Sequence, residues 1–506
     1  MLGPGIRRAV RSVIDQSLAT VHRPSRLFIG PLVRMALALP HFPAAASMLV
    51  PILQNRWLER AGGRKFCLGM GYKLFQRDRP LEAWPWLNGV LRMQDPTIDE
   101  YLLGAMCLYH GLGRFREAIS LLEEANERSR KEAINRGVAN DRYRVLDSLW
   151  ARHIGHTATI DYVIKLGVLE GRQADDTILY LPPGSPVANR FLLDQVATRI
   201  RVIEDPAQLP IGPSAVRALH FDYLAPRLPN GTTTYFWEAA AKVHERWRLE
   251  GRGPLLTLPP DVEARGRAAL RSVGVPHEAW FVALHVREGK WDGRNAGLHG
   301  MLNADIATYL PAISAITRRG GWVIRMGDPT MQPLPALANV VDYCHSDLRA
   351  DWMDVFIAAR CRFMIGTSSG PVYIPILYGV PTVLTNWWPP AQRPWRESDI
   401  FVPKRLRRLA GGRYLSLSET LREPFSWCHS RHYLADHEGV EVEDNSPQAI
   451  EAAVEEMLDR LDGTFDSGAE AAELQTRADG IYKAHSAFGM GQIAADFVRR
   501  HRDLVA

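Results

Sequence analysis

Cysteine is scarce and scattered. Cys67, Cys107, Cys344, Cys361 and Cys428 are the only five in 506 residues, an odd number without ligand-like spacing. This argues against a disulfide scaffold and a cysteine-type zinc site, and it fits a reducing, cytosolic setting. Excess charge is missing as well: 61 Lys plus Arg against 56 Asp plus Glu leave a formal +5. Such a balance does not call for nucleic acid, and none is expected as a partner, but it leaves room for an anionic substrate. Long apolar runs are also absent. "VRMALALPHFPAAASMLVPIL" is broken by Pro40, His41 and Pro43, so a spanning helix, which needs roughly 18 apolar residues, is not expected. The start has no clear apolar core with a small-residue cleavage site, and no signal peptide is expected. No Asp-x-Asp stands at an obvious strand end.

What is present is a chain with 46% hydrophobic residues, enough for two or three cores. "MLGPGIRRAVRSVIDQSLATVHRPSRL" sets Arg7, Arg8 and Arg11 beside Ile6, Val10, Val13 and Ile14. It reads as an amphipathic docking segment, and functionally as peripheral contact with the cytoplasmic face of the inner membrane. Residues 1–139 are expected to form a helical, tetratricopeptide-like adaptor. Tyr101, Leu102, Ala105, Leu108 and Tyr109 recur at helical intervals, "GLGRF" turns the chain, and "GRFREAISLLEEA" resembles the second helix of a tetratricopeptide repeat. No second clear unit follows, so a protein partner would meet a short helical adaptor.

After Asn140 the texture changes to short apolar runs alternating with helical stretches. "RYRVLDSL", "DTILYLPPG" and "RIRVIED" read as strands, with "ATIDYVIKLGVL" as a helix between them. Residues 140–245 are expected to form a first Rossmann-like domain and residues 260–440 a second, with "WFVALHV", "GWVIRMG", "NVVDY", "RFMIG" and "VPTVLTN" as strands. Continuous apolar strands separated by helices indicate a parallel sheet covered on both faces. Residues 445–506 read as helical, opening with Ser446 and Pro447 as cap and first-turn residues. The fold class is therefore α/β, two facing Rossmann-like domains between helical terminal regions.

Ligands of open parallel sheets bind beyond the C-terminal strand ends. In the second half those ends carry His285 and Arg287, then Glu288, Lys290 and Asp292; Arg325 and Asp328; and His345, Ser346 and Asp347. A fourth loop, "GTSSGP", offers Thr367, Ser368, Ser369 and Gly370, whose hydroxyls and amides suit oxygen anions at a helix start. Arg287 supplies a fork matched to phosphate. A cationic strand end beside a hydroxyl-rich turn looks like a diphosphate site, in which arginine could carry leaving-group charge without a divalent metal. Further along, Asn386, Trp387 and Lys404 are candidates for the donor or sugar subsite. In the first half Gly155 and His156 stand between a strand and a helix, and His156 could accept a proton from an acceptor hydroxyl. Glu288 and Asp292 are rival bases.

"HVRE", "RNAGLHGMLNADIATYLPAISAITRRGGWVIRMGD", "DYCHSDLRADWMDVFIAARCRFMIGTSSG" and "YGVPTVLTNWWPPAQRPWRESDIFVPK" closely resemble a bacterial family of glycosyltransferases found with surface-polysaccharide genes. The His285 to Arg287 segment is more distantly similar to the His-x-Arg element of fucosyltransferases that use GDP-fucose. The resemblance implies a GT-B architecture, a GDP- or UDP-linked sugar as co-substrate with no further cofactor, a glycan or glycolipid acceptor, and a cytoplasmic site of action. It also implies that Arg287 binds the diphosphate and that the 367–370 loop helps hold the nucleotide. A nucleotide-sugar epimerase or hydrolase, and a non-catalytic helical scaffold, are the alternative readings.

Overall fold

The alternation of apolar strands and helices closes into two parallel sheets. The computed structural model describes residues 61–138, 142–212, 215–216, 225–226, 233–289 and 299–505; the basic N-terminal segment, Lys290 and Asp292 lie outside them. The front end is two packed helix pairs: α1 (Ala61–Gln76) with α2 (Pro80–Leu91), and α3 (Ile98–Met106) with α4 (Phe115–Asn135). Thr97 starts α3 with a reciprocal capping box to Glu100. The first pair was not read as a unit in the sequence. The turn between α3 and α4 requires Gly113: its φ is +63°, and a Cβ there would meet the Pro424 carbonyl oxygen at 1.9 Å.

The first sheet, β1 (Arg144–Leu146), β2 (Thr177–Tyr180) and β3 (Arg201–Ile203), is parallel in that order. It is accompanied by α5 (Ile154–Leu169), α6 (Arg190–Val196) and α7 (Phe236–Leu249). Helix α5 is buried along most of its length, as expected for a helix enclosed between a sheet and other helices.

The second sheet has seven parallel strands: β4 (Phe281–His285), β5 (Trp322–Arg325), β6 (Val340–Val341), β7 (Met364–Gly366), β8 (Thr382–Trp387), β9 (Ile400–Pro403) and, after the antiparallel pair β10 (Arg405–Arg408) and β11 (Val440–Glu443), β12 (Gln492–Ile493). Its spatial order is β12-β9-β8-β7-β4-β5-β6. The chain moves from β4 through β5 to β6 on one side, then returns to β7 on the other side of β4, so the sheet reverses direction between β4 and β7. Helices α8 (Pro260–Ser272), α9 (Leu310–Arg318) and α10 (Asp351–Arg360) belong to this unit, and α11 (Pro447–Asp462), α12 (Gly468–Ala484) and α13 (Ala495–Arg500) follow. Ser446 caps α11 as its sequence indicates, accepting from the Ala449 amide at 3.2 Å with Pro447 in the first turn. The architecture is two Rossmann-like α/β domains flanked by helical regions. No helix among the described residues is long and apolar enough to cross a membrane.

Candidate active site

The crevice at a sheet's reversal point is left open because the connections on its two sides run in opposite directions. Here that point is the junction of β4 and β7, where His285 pairs in register with Gly366. The two loops leaving it are the ones singled out in the sequence. They are laced together: the Thr367 amide donates to the His285 carbonyl at 3.3 Å, and the Arg287 amide donates to Thr367 Oγ1 at 3.0 Å. Thr367 is wholly buried, whereas Arg287, Ser368, Ser369 and Gly370 are half-buried. Ser368 Oγ accepts from the Trp388 amide at 2.8 Å, which ties the loop to the end of β8. Arg287 Nη1 donates to the His299 carbonyl at 2.7 Å and to Asn303 Oδ1 at 3.0 Å. Asn303 carried no motif in the sequence, and its role is visible only in the folded chain.

The turn after Ser369 differs from the helix expected there. Gly370–Tyr373 is a 3-10 turn and Ile374–Leu377 a single α-turn, too short to build much of a macrodipole. An anion here would be held by individual amides and hydroxyls. Across the interface, Gly155 at the start of α5 abuts Gly370. A Cβ on Gly155 would sit 2.7 Å from Gly370 Cα, and one on Gly370 would sit 2.8 Å from the Gly155 nitrogen. The first domain's glycine turn and the second domain's hydroxyl-rich turn therefore meet. His156 follows at once, its ring centroid 5.2 Å from that of His153 and 6.3 Å from that of Phe236. Burial, with His153 beside it, pushes His156 down to about 4. It is neutral at ordinary pH and a weaker base than the unperturbed imidazole assumed from sequence.

Other expected ligands are engaged elsewhere. Arg325 is completely buried at the end of β5, with Glu288 Oε1 at 2.9 Å and Asp342 Oδ1 at 3.1 Å. Its charge is neutralised within the protein instead of being offered at the rim. Glu288 is correspondingly a poor candidate base, because its second oxygen accepts from the Gln332 amide at 2.7 Å. His285 is buried, Nδ1 has no hydrogen-bond partner, and burial with nearby Arg325 pushes it down to about 4. Asn386 is also buried, in a network in which the Asn445 amide donates to its Oδ1 at 2.7 Å and its Nδ2 donates to Tyr309 Oη at 3.2 Å. The buried Trp387 donates its indole N–H to the Gln392 carbonyl. Lys404 Nζ is buried and donates to Asp444 at 2.6 Å and to the Asn303 carbonyl at 3.2 Å. Asn386 and Trp387 are bonded within the β8 end, and Lys404 donates to the backbone of Asn303, the residue that Arg287 grips.

His345 is exposed, with Nδ1 3.0 Å from Asp342 Oδ2. The donor atoms of Asp342, Cys344 and His345 lie within 4.8 Å of one another, the spacing of a cation site. The chemistry fits one poorly. Arg325 Nη1 already stands 2.9 Å from the sulfur and 3.1 Å from Asp342, so a cation would have to share both groups with a guanidinium.

The two domains are clamped away from this crevice. Asn189, the cap of α6, donates to the Asp351 carbonyl at 3.0 Å, and Asp351 Oδ2 accepts from the Arg190 amide at 2.6 Å. Asp351, in the first turn of α10, thus satisfies a first-turn amide of α6 across the interface.

No family model matches the chain, and no curated protein matches it. Among solved structures, the glycosyl transferase family 9 protein from Veillonella parvula aligns at 12% identity and a TM-score of 0.33, over 52% of this chain and 86% of its own. The iron-containing dodecameric glycosyltransferase TibC from enterotoxigenic E. coli aligns at 12% identity and 0.34, over 64% and 77%. The iron-containing heptosyltransferase TibC in complex with ADP-D-beta-D-heptose aligns at 11% and 0.28, over 49% and 58%. At these scores no residue of this chain takes a role from theirs.

Proposed function

We propose that the protein is a glycosyltransferase moving a sugar from a nucleotide diphosphate, GDP- or UDP-linked, to a hydroxyl of a surface glycan or glycolipid at the cytoplasmic face of the inner membrane. The observation that carries this reading is the union of Arg287 and the Thr367–Gly370 turn at the reversal point of the larger sheet, directly against Gly155 and His156 of the other domain. In this reading Arg287 and the turn's hydroxyls and amides bind the diphosphate, and stabilise the charge that grows on it as the glycosidic bond to the nucleotide breaks. The acceptor hydroxyl enters from the first domain and transfers its proton to His156, or to Asp292 if that loop reaches it.

Titration of UDP, GDP, ADP, CDP and dTDP against the wild-type chain and Arg287→Ala tests the site and selects the base. One nucleotide should bind, and Arg287→Ala should weaken it. Incubation of the matching sugar donors, with an ADP-linked heptose included, then separates transfer from hydrolysis and epimerisation, because only transfer yields a new glycosidic product. Absence of binding by every nucleotide would favour the helical scaffold.

A further inference from the structure

A cavity of about 570 Å³ is left unused by that reading. It lies where four stretches of chain meet: the first turn of α4, the first turn of α7, the segment 421–427 between β10 and β11, and residues 484–488 at the end of α12 and beyond it. Its volume is that of a small-molecule site, which typically spans about 300–1,000 Å³. Three of its lining residues are stacked rings: Phe115 lies on Trp427 at 5.4 Å with 18° between the planes, and Trp427 on Phe488 at 5.5 Å with 30°. The walls are fastened to one another, because the Arg116 amide donates to Glu423 Oε1 at 2.9 Å. Ser486, also on the wall, has a φ of +54°, a left-handed conformation that residues other than glycine rarely adopt and that gathers at ligand sites.

The polar groups that remain unspent narrow the ligand. Trp427 is only 5% exposed, yet its indole N–H has no hydrogen-bond partner among the described residues; a buried indole N–H usually has one. Arg116 and Arg422 are exposed at the wall, and neither forms an ion pair among the described residues. All three are donors, and two carry charge. The carboxylates, by contrast, are largely engaged: Glu238 takes Thr234 Oγ1 at 2.6 Å and Lys242 Nζ at 2.5 Å, and Glu423 uses one oxygen on the Arg116 amide. The cavity is short of acceptors, so its ligand must bring them, with negative charge for the guanidinium forks. A phosphate dianion would stand against Glu238 and Glu423. A single carboxylate on a hydroxylated ring meets less repulsion, and its hydroxyls can donate to the second oxygen of Glu423.

We propose that this cavity binds a carboxylate-bearing sugar residue. Its carboxylate meets the arginine forks, its apolar ring face lies against the aromatic row, and one of its oxygens accepts from the Trp427 N–H. From Trp427 the ring contacts continue to Tyr235 at 5.9 Å, from Tyr235 to Phe236 at 5.2 Å and from Phe236 to His156 at 6.3 Å. The sugar therefore stands on the side of the candidate base and would belong to the acceptor glycan. That last step rests on the transfer reading; the binding itself does not.

The test is calorimetric titration of the full chain with a galacturonic acid trisaccharide, with sialyllactose and, as the neutral control, with maltotriose. At least one acidic saccharide should bind about tenfold or more tighter than maltotriose, and Arg116→Ala and Arg422→Ala, both altered at the surface, should each weaken it by about tenfold or more. Arg287→Ala should leave saccharide binding intact, and Arg422→Ala should leave nucleotide binding intact, so the two sites stand or fall separately. The proposal is overturned if no acidic saccharide binds, if maltotriose binds as tightly, or if the acidic saccharide binds equally well to wild type, Arg116→Ala and Arg422→Ala. A nucleotide affinity that falls in Arg422→Ala as far as the saccharide affinity does would also overturn it, because the cavity would then belong to the donor.

Discussion

Arg287 and Arg325 leave neighbouring parallel strands at the same end of one sheet, and their surroundings give them opposite uses. Arg325 sits on the last residue of β5 and is enclosed by Glu288, Asp342 and the Cys344 sulfur. Arg287 lies two residues beyond β4, at the reversal point, half-buried, with Nη1 donating to the His299 carbonyl and to Asn303 Oδ1. Neutral acceptors orient a guanidinium without cancelling its charge; carboxylates orient it and cancel the charge as well. On the reading proposed above, the difference separates a fully buried cation that consolidates the fold from a half-buried one that receives an anionic ligand.

The largest effect that would test this contrast is on stability. Arg325→Ala removes a fully buried cation and leaves half-buried Glu288 and Asp342 without it, and should cost about 3–5 kcal/mol, read as a lower denaturant midpoint. Arg287→Ala should leave that midpoint nearly unchanged and instead weaken the best-binding nucleoside diphosphate by about 2–5 kcal/mol in calorimetric titration. If both variants lose stability equally and neither loses affinity, the two arginines share a structural role and the distinction fails.

A smaller effect is expected one bond away. Thr367→Val keeps the shape of the buried side chain but removes the acceptor of the Arg287 amide, at a cost of about 1–3 kcal/mol. Nucleotide affinity should fall with it, because the Arg287 backbone loses its anchor. Unaltered stability and affinity would show that the lacing between the two loops does not position the arginine. His156→Ala should suppress transfer while nucleotide binding persists; near-normal transfer would shift the base to Asp292.

The mildest perturbation addresses the domain clamp. Asp354 accepts from Tyr343 Oη at 2.8 Å and faces Asn189 Nδ2 at 3.5 Å, and burial raises it to about 6. Its folded-state value lies above the ordinary carboxylate value, so the favourable contribution is complete below that ordinary value and is lost as pH rises through about 6. Asp354→Asn removes this dependence. Thermal melts should therefore show the variant gaining on the wild type as pH climbs through that window, and parallel melting curves at all pH values would contradict the assignment.

Much of the site's framework was legible before folding was considered. The apolar runs marked β1 to β8 but not β9 to β12, the last of which lies in the stretch read as helical; "RFMIG" ended at Gly366 as β7 does, and the Arg287 and Thr367–Gly370 loops were picked out by residue type at strand ends. Those features are local: alternation, glycine turns and cap residues act over a few positions, so spacing along the chain records them. Which strand-end polar groups are drawn into the interior was not local. Arg325, Lys404 and Asn386 look as promising in the sequence as Arg287, and each is buried against partners brought in from other strands and loops. The approach of Gly155 to Gly370, and of Cys428 to Gly111 from 317 residues away, is likewise absent from any short pattern. A side chain's charge is written in its residue type, whereas the free energy of that charge depends on which distant groups exclude water from it and which oxygens replace that water.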